Sequence, residues 1–100
     1  MALSVEIVTP RGVAFQRRGL SKVVLRRKEE SFEQGSEVVV LPHHGEMMVR
    51  LPESDIDLVD ERRTVHVHVV GGFAEVHDDD ITVLTASAEV GESVVVPCAE

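Results

Sequence analysis

Twenty of the 100 residues are valine. A β-branched side chain is stiff at χ1 and packs well on a pleated surface, so a chain this rich in valine is driven towards strands rather than helices. The arrangement agrees. Leu3, Val5 and Ile7 alternate with Ser4 and Glu6; Ile56 and Leu58 alternate with Asp55 and Asp57; Val65, Val67 and Val69 alternate with Thr64, His66 and His68. A period of two places one set on a buried face and the other towards solvent. Turn chemistry separates these runs at Pro10-Arg11-Gly12, Gly19, Gln34-Gly35-Ser36, residues 42–45, residues 52–54, Gly71-Gly72 and residues 78–80. No apolar period of helical length is sustained. The spacing predicts an all-β fold of about ten short strands, a β-sandwich or flattened barrel. Their expected positions are 3–9, 13–16, 21–28, 37–41, 47–51, 55–60, 63–70, 73–77 and 81–86, with 93–96 as the marginal candidate. Closure of the sheet would keep its edges from pairing with other chains.

A chain of 100 residues fits one domain and buries about two-thirds of its unfolded surface, enough for one modest core. The single cysteine, Cys98, has no internal partner and reads as an incidental tail residue, compatible with a reducing compartment. No apolar run approaches the roughly 20 residues that span a bilayer. The first four residues, Met1 to Ser4, lack the charged-then-apolar form of a signal peptide. The expectation is a soluble protein.

Charge is unevenly distributed. Residues 1–50 carry eight Lys or Arg against six Asp or Glu, whereas residues 51–100 carry two against twelve, for a total of −8. An acidic chain with three aromatic residues is poorly suited to nucleic acid, which calls for positive surface and stacking rings. The basic groups Arg17-Arg18 and Arg26-Arg27-Lys28 read as solvated charges, or as contacts to acidic groups on a neighbouring subunit. The run Asp78-Asp79-Asp80 lacks the spaced ligands of a calcium loop and reads as a solvated turn.

Chemistry is sparsely indicated. His66 and His68 are two apart on an expected strand and share a face, and His43, His44 and His77 are the other imidazoles that might join them. Imidazoles so placed bind zinc or nickel only when a third ligand converges at about 2.1 Å from the metal; otherwise they are exposed polar residues. There is no Gly-x-Ser-x-Gly elbow, no His-Glu-x-x-His and no phosphate loop. No catalytic residue, cofactor or small-molecule substrate is expected.

Four segments in order carry a resemblance. Residues 3–13, LSVEIVTPRGV, form a strand and a Thr-Pro-x-Gly turn, and Ser21-Lys22-Val23-Val24-Leu25 follows as a second strand. Val40-Leu41-Pro42-His43-His44 comes next, and then residues 64–89, TVHVHVVGGFAEVHDDDITVLTASAE. Together they resemble the epsilon subunit of F-type ATP synthases, the delta subunit of mitochondria. That family has Val-Leu-Pro-Gly-His in the middle and Gly-Gly-Phe-x-Glu-Val before a turn and Val-Thr-Val-Leu. Gly72, Phe73, Glu75 and Val76 fall on the second motif, with a structural role; His43 stands where the family has glycine and His44 where it has histidine.

The resemblance implies a non-catalytic β-domain at the foot of the central stalk. It would be clamped to the gamma subunit, seated on the c-ring, and would help couple ion flow to ATP synthesis. It also implies a cytoplasmic location, peripheral on the inner face of an energy-transducing membrane. By position Pro42, His43 and His44 with Met47 and Met48 fall on the gamma-facing side, although adjacent methionines also serve as core filler. Arg26, Arg27 and Glu37, with the loop over 26–35, fall at the ring-facing end. That loop departs from the family: Pro-Gly-x-x-Gly is replaced by Arg26-Arg27-Lys28-Glu29-Glu30-Ser31-Phe32 and lengthened.

The expected domain is 1–89, with 90–100 as a short tail where the family continues into a helical hairpin. Eleven residues including Pro97 and Val94-Val95-Val96 are too few for such a hairpin, so neither hairpin-mediated inhibition nor nucleotide binding is expected. A second class competes with the stalk reading: a stand-alone β-sandwich binding module, with His66 and His68 as its weak metal candidates.

Overall fold

Eight strands make up the fold: β1 (Leu3–Thr9), β2 (Gly12–Leu20), β3 (Lys22–Arg27), β4 (Ser36–Val40), β5 (Met47–Val59), β6 (Thr64–His77), β7 (Asp80–Leu84) and β8 (Ala88–Ser93). They are seen in a computed structural model that describes residues 2–27, 36–43, 45–61 and 63–93. Cys98, His44 and most of the loop over 26–35 lie outside the described residues. Hydrogen bonding orders the strands β2-β1-β7-β6-β5-β3-β4, with β8 also paired to β6. β1 and β7 run parallel, and the other pairings are antiparallel.

The count is eight rather than about ten because two expected pairs of strands are continuous. Segments 47–51 and 55–60 are one strand, β5, and segments 63–70 and 73–77 are one strand, β6. The β5–β6 ladder keeps its register throughout, from Met47↔Val76 through Leu51↔Gly72 and Glu53↔Val70 to Val59↔Thr64. What changes at the middle is the phase of burial. In β5 the buried residues are Val49 and Leu51, then Ile56 and Leu58; in β6 they are Val65, Val67 and Val69, then Ala74 and Val76. Both strands exchange their inward and outward faces at the same place, around Pro52 and Gly71-Gly72. Turn chemistry at these residues therefore marks a corner inside a hairpin, not strand ends.

That corner makes the sandwich. The N-terminal half of β5 and the C-terminal half of β6 belong to one layer with β7, β1 and β2. The other halves belong to a second layer with β3, β4 and β8. Leu3, Val5, Ile7, Ile81 and Val83 from the first layer join Val23, Leu25, Val40, Ile56 and Val67 from the second in a single buried cluster. Strands at opposite ends of the hydrogen-bonded order share that cluster, so the sheet has folded back on itself.

Local backbone chemistry explains the remaining departures. β2 reaches from Gly12 to Leu20, running through Gly19, and pairs with β1 across two register shifts, the bulges expected of a protected edge. The acidic turn is shorter than the expected 78–80. His77 pairs with Asp80, leaving Asp78 (φ 51°) and Asp79 (φ 68°) as a two-residue hairpin of type I′ geometry. The last strand lies at Ala88–Ser93 rather than 93–96, so β structure continues past residue 89. His43 has φ 67°, which accounts for glycine at the matching place in the family motif; its amide donates to Asp79 Oδ1 at 2.7 Å.

Gly72 is the tightest point. Its φ is 112°, and a Cβ placed there would overlap the Leu84 carbonyl oxygen, which is backbone and cannot swing away. Gly71, at φ 72°, has only the Leu51 carbonyl oxygen near, at 3.8 Å. Gly72→Ala is thus expected to destabilise by about 3 kcal/mol and Gly71→Ala by about 1–2 kcal/mol, the order being readable from urea unfolding midpoints. In the same measurement His43→Gly raises stability by up to about 1 kcal/mol, whereas His43→Val lowers it, because a β-branched residue tolerates positive φ least.

Candidate docking faces

Outward-facing residues of the first layer form a stripe. Phe73 of β6 is in register with Leu84 of β7, Leu84 with Val8 of β1, and Val8 with Val13 of β2. Directly opposed residues on paired strands project to the same face. Phe73, Leu84 and Val13 are 48%, 54% and 55% exposed, too much for core residues, and together they make a contiguous apolar row. Thr9, Val13, Ala14 and Ala86 help line a shallow depression of about 440 Å³ at its β2 end.

A polar row runs alongside. Glu75 of β6 is in register with Thr82 of β7, Thr82 with Glu6 of β1, and Glu6 with Gln16 of β2. Gln16 Nε2 donates to Glu6 Oε2 at 3.0 Å. Met48 of β5 ends this row opposite Glu75 and is 65% exposed, while Arg50 ends the apolar row opposite Phe73. An apolar strip with a polar margin is the anatomy of a protein-docking surface.

The outer face of the second layer is different. Arg26 of β3 donates through Nη1 to the Asp55 carbonyl oxygen at 2.7 Å, lies 3.3 Å from Asp57 Oδ2, and reaches Glu37 of β4 at 3.5 Å. On β6, His66 Nδ1 is 2.7 Å from Asp57 Oδ1, and His68 Nδ1 is 2.7 Å from Asp55 Oδ1. His68 Nε2 also faces Glu53 Oε2 at 3.2 Å. The hydrogen bond to Asp55, and after it that to Glu53, raises the His68 pKa above its ordinary 6.5. The result is a charge ladder across β4, β3, β5 and β6.

The residues singled out from the sequence are distributed over both faces. Met48 is exposed beside the apolar stripe, but Met47 turns inward and packs on the core. Pro42 and His43 lie in the β4–β5 connection. Arg26 and Arg27 sit on β3, and Glu37 is in register with Arg26 on β4, so these are strand residues flanking the loop rather than loop residues. Gly72 and Val76 are structural as expected, the first through close approach and the second through burial. Phe73 and Glu75 instead face outward.

The histidines do not converge. His77 pairs with Glu46 at 2.8 Å and Asp78 at 3.3 Å at the far end of β6, beyond the corner that puts it on the other layer from His66 and His68. Among the described residues no three His, Cys, Asp or Glu side chains are grouped to hold a metal ion. His66 and His68 are ion-pair partners of β5 carboxylates.

Val8, Val13 and Leu84 were not legible as site residues. The signal was present in the phase: Leu84 alternates out of step with Ile81 and Val83, as Phe73 does with Ala74 and Val76. Only the lateral register shows that these outward residues meet.

Comparison with known proteins agrees with this architecture. Residues 2–91 match the family model of the ATP synthase delta/epsilon chain β-sandwich domain. The chain is 36% identical over 95 residues to an ATP synthase epsilon chain of Pelotomaculum thermopropionicum, covering 95% of this chain and 66% of the relative. It is 38% identical over 85 residues to that of Bacillus thuringiensis, covering 85% of this chain and 59% of the relative. The chain thus spans less than two-thirds of either relative's length. Among solved structures it is similar to a chain of the Euglena gracilis mitochondrial ATP synthase OSCP/F1/c-ring assembly, with a TM-score of 0.74, 18% identity, and coverage of 89% of this chain and 53% of that one. It is also similar to a chain of the Tetrahymena thermophila mitochondrial ATP synthase central stalk and c-ring, with a TM-score of 0.66, 14% identity, and coverage of 89% and 66%. These likenesses show the shared fold. With its eight-stranded two-layer sheet and the family match over residues 2–91, the chain belongs to the ATP synthase delta/epsilon family through its β-sandwich domain.

Proposed function

We propose that this chain is a non-catalytic central-stalk component of an ATP synthase, docked through the outer face of its first layer onto the gamma subunit. The observation that carries the reading is the apolar row Phe73–Leu84–Val8–Val13, left exposed on a domain whose relatives are named ATP synthase epsilon chains. Met48 extends the contact, and Glu6, Gln16, Glu75 and Thr82 provide its polar margin. The β3–β4 end, with Arg26, Arg27 and Glu37, is the part presented to the c-ring. The domain supplies no bond chemistry. Its contribution is stiffness: two close-packed layers tied by a ladder that runs through both, suited to turning with a rotor without deforming. Membrane association is then peripheral, through the complex.

Co-expression with the gamma subunit of the same organism, followed by size exclusion, tests the proposal. A 1:1 complex is expected. Phe73→Glu combined with Leu84→Glu places two charges in the stripe and is expected to weaken the complex by at least about 2 kcal/mol, roughly 30-fold in Kd, with little change in thermal unfolding. A complex indifferent to those charges excludes this face. No complex between two folded proteins supports the stand-alone binding module instead.

A further inference from the structure

Strand β8 is weakly anchored. It lies off the main path of the sheet and its ladder runs along β6, from Val69↔Ala88 to Thr64↔Ser93. Of its core-facing residues, Ala88 packs against the core but Val90 remains 47% exposed. Burial of so little apolar surface leaves β8 dependent on its backbone bonds and on what faces it across β6.

Those facing groups are charged. Glu89 is in register with His68, and Gly91 with His66. On the β5 side, His68 already meets Asp55 at 2.7 Å and Glu53 at 3.2 Å, and His66 meets Asp57 at 2.7 Å. Arg26 of β3, the nearby strong cation, is engaged with the Asp55 carbonyl oxygen, with Asp57 and with Glu37 of β4. His68 therefore stands between carboxylates contributed by two strands: Glu53 and Asp55 from β5, and Glu89 from β8.

We propose that the His68 imidazolium acts as a pH-sensitive clamp that holds the edge strand β8 against β6. Charged, it offsets the repulsion between Glu89 and the β5 carboxylates and joins three strands through one ring. Neutral, it leaves Glu89 facing two like charges, which disfavours pairing directly opposite. The contacts to Asp55 and Glu53 raise the His68 pKa above 6.5. For a histidine raised in the folded state, the stabilisation is fully present below the unfolded value and is lost as pH rises through the folded value. The clamp thus holds on the acidic side and releases towards alkaline pH.

Backbone amide exchange of the full chain between about pH 5.5 and about pH 8.5, corrected for intrinsic rates, tests the clamp, with the His68 ring followed by NMR in the same samples. Protection of the 88–93 amides is expected to fall by up to about fivefold as His68 deprotonates, while β1 and β7 amides keep theirs. His68→Gln and, separately, Glu89→Gln are expected to flatten the β8 profile. A β8 protection that is flat in pH overturns the proposal. So does a fall that survives in His68→Gln, or one in which β1 and β7 lose protection in step with β8.

Discussion

Everything in this fold hangs on the β5–β6 ladder and its passage through one corner. Strands β7, β1 and β2 attach to one side of that passage, and β8, β3 and β4 to the other. The corner works because Gly71 and Gly72 take positive φ, and because Gly72 has no side chain where the backbone of Leu84 and Thr85 crosses it. Thr85, the buried polar residue among the described ones, secures the crossing: its amide donates to the Val8 carbonyl oxygen at 3.0 Å and its hydroxyl to Ser87 at 3.2 Å. Two layers joined by continuous hydrogen-bonded strands resist shear better than two layers joined by loops. That is the mechanical property a stalk component needs.

The two outer faces solve the problem of an exposed sheet surface differently. The second layer carries alternating charges, Glu37, Arg26, Asp57 and the two histidines, which keep it solvated. Such exposed pairs each contribute little to stability. The first layer carries the apolar stripe, which costs solubility unless something covers it. The asymmetry assigns roles: one face for docking, the other for water, with β8 at the edge of the charged face and subject to its titration.

Much of this was legible in the chain. Valine content and alternation identified an all-β domain, and the straight segments 47–51, 55–60, 63–70 and 73–77 were each in the right place. The error came at Pro52 and Gly71-Gly72, where residues that end strands in most contexts instead allow a long hairpin to change layers. A change of phase in the buried residues looks the same, along one strand, whether the strand stops or turns a corner. Hydrogen bonds to a partner strand make the difference. Of the docking residues, Met48 could be picked out by position, while Val8, Val13 and Leu84 looked like ordinary strand valine and leucine until the lateral register joined them.

The sequence by itself determined the class of fold, the inward set of residues in each straight segment, the positive-φ sites at glycine and aspartate, and the family. Those are local properties, set by side-chain shape, period and backbone freedom within a few residues. Tertiary structure alone decided that ten segments are eight strands, that β1 pairs in parallel with β7, and that Phe73, Leu84, Val8 and Val13 form one surface. It also decided that His68 meets carboxylates from β5 and faces β8. These are contacts between residues far apart in the chain, and period-two alternation says which way a side chain points but not which strand lies beside it.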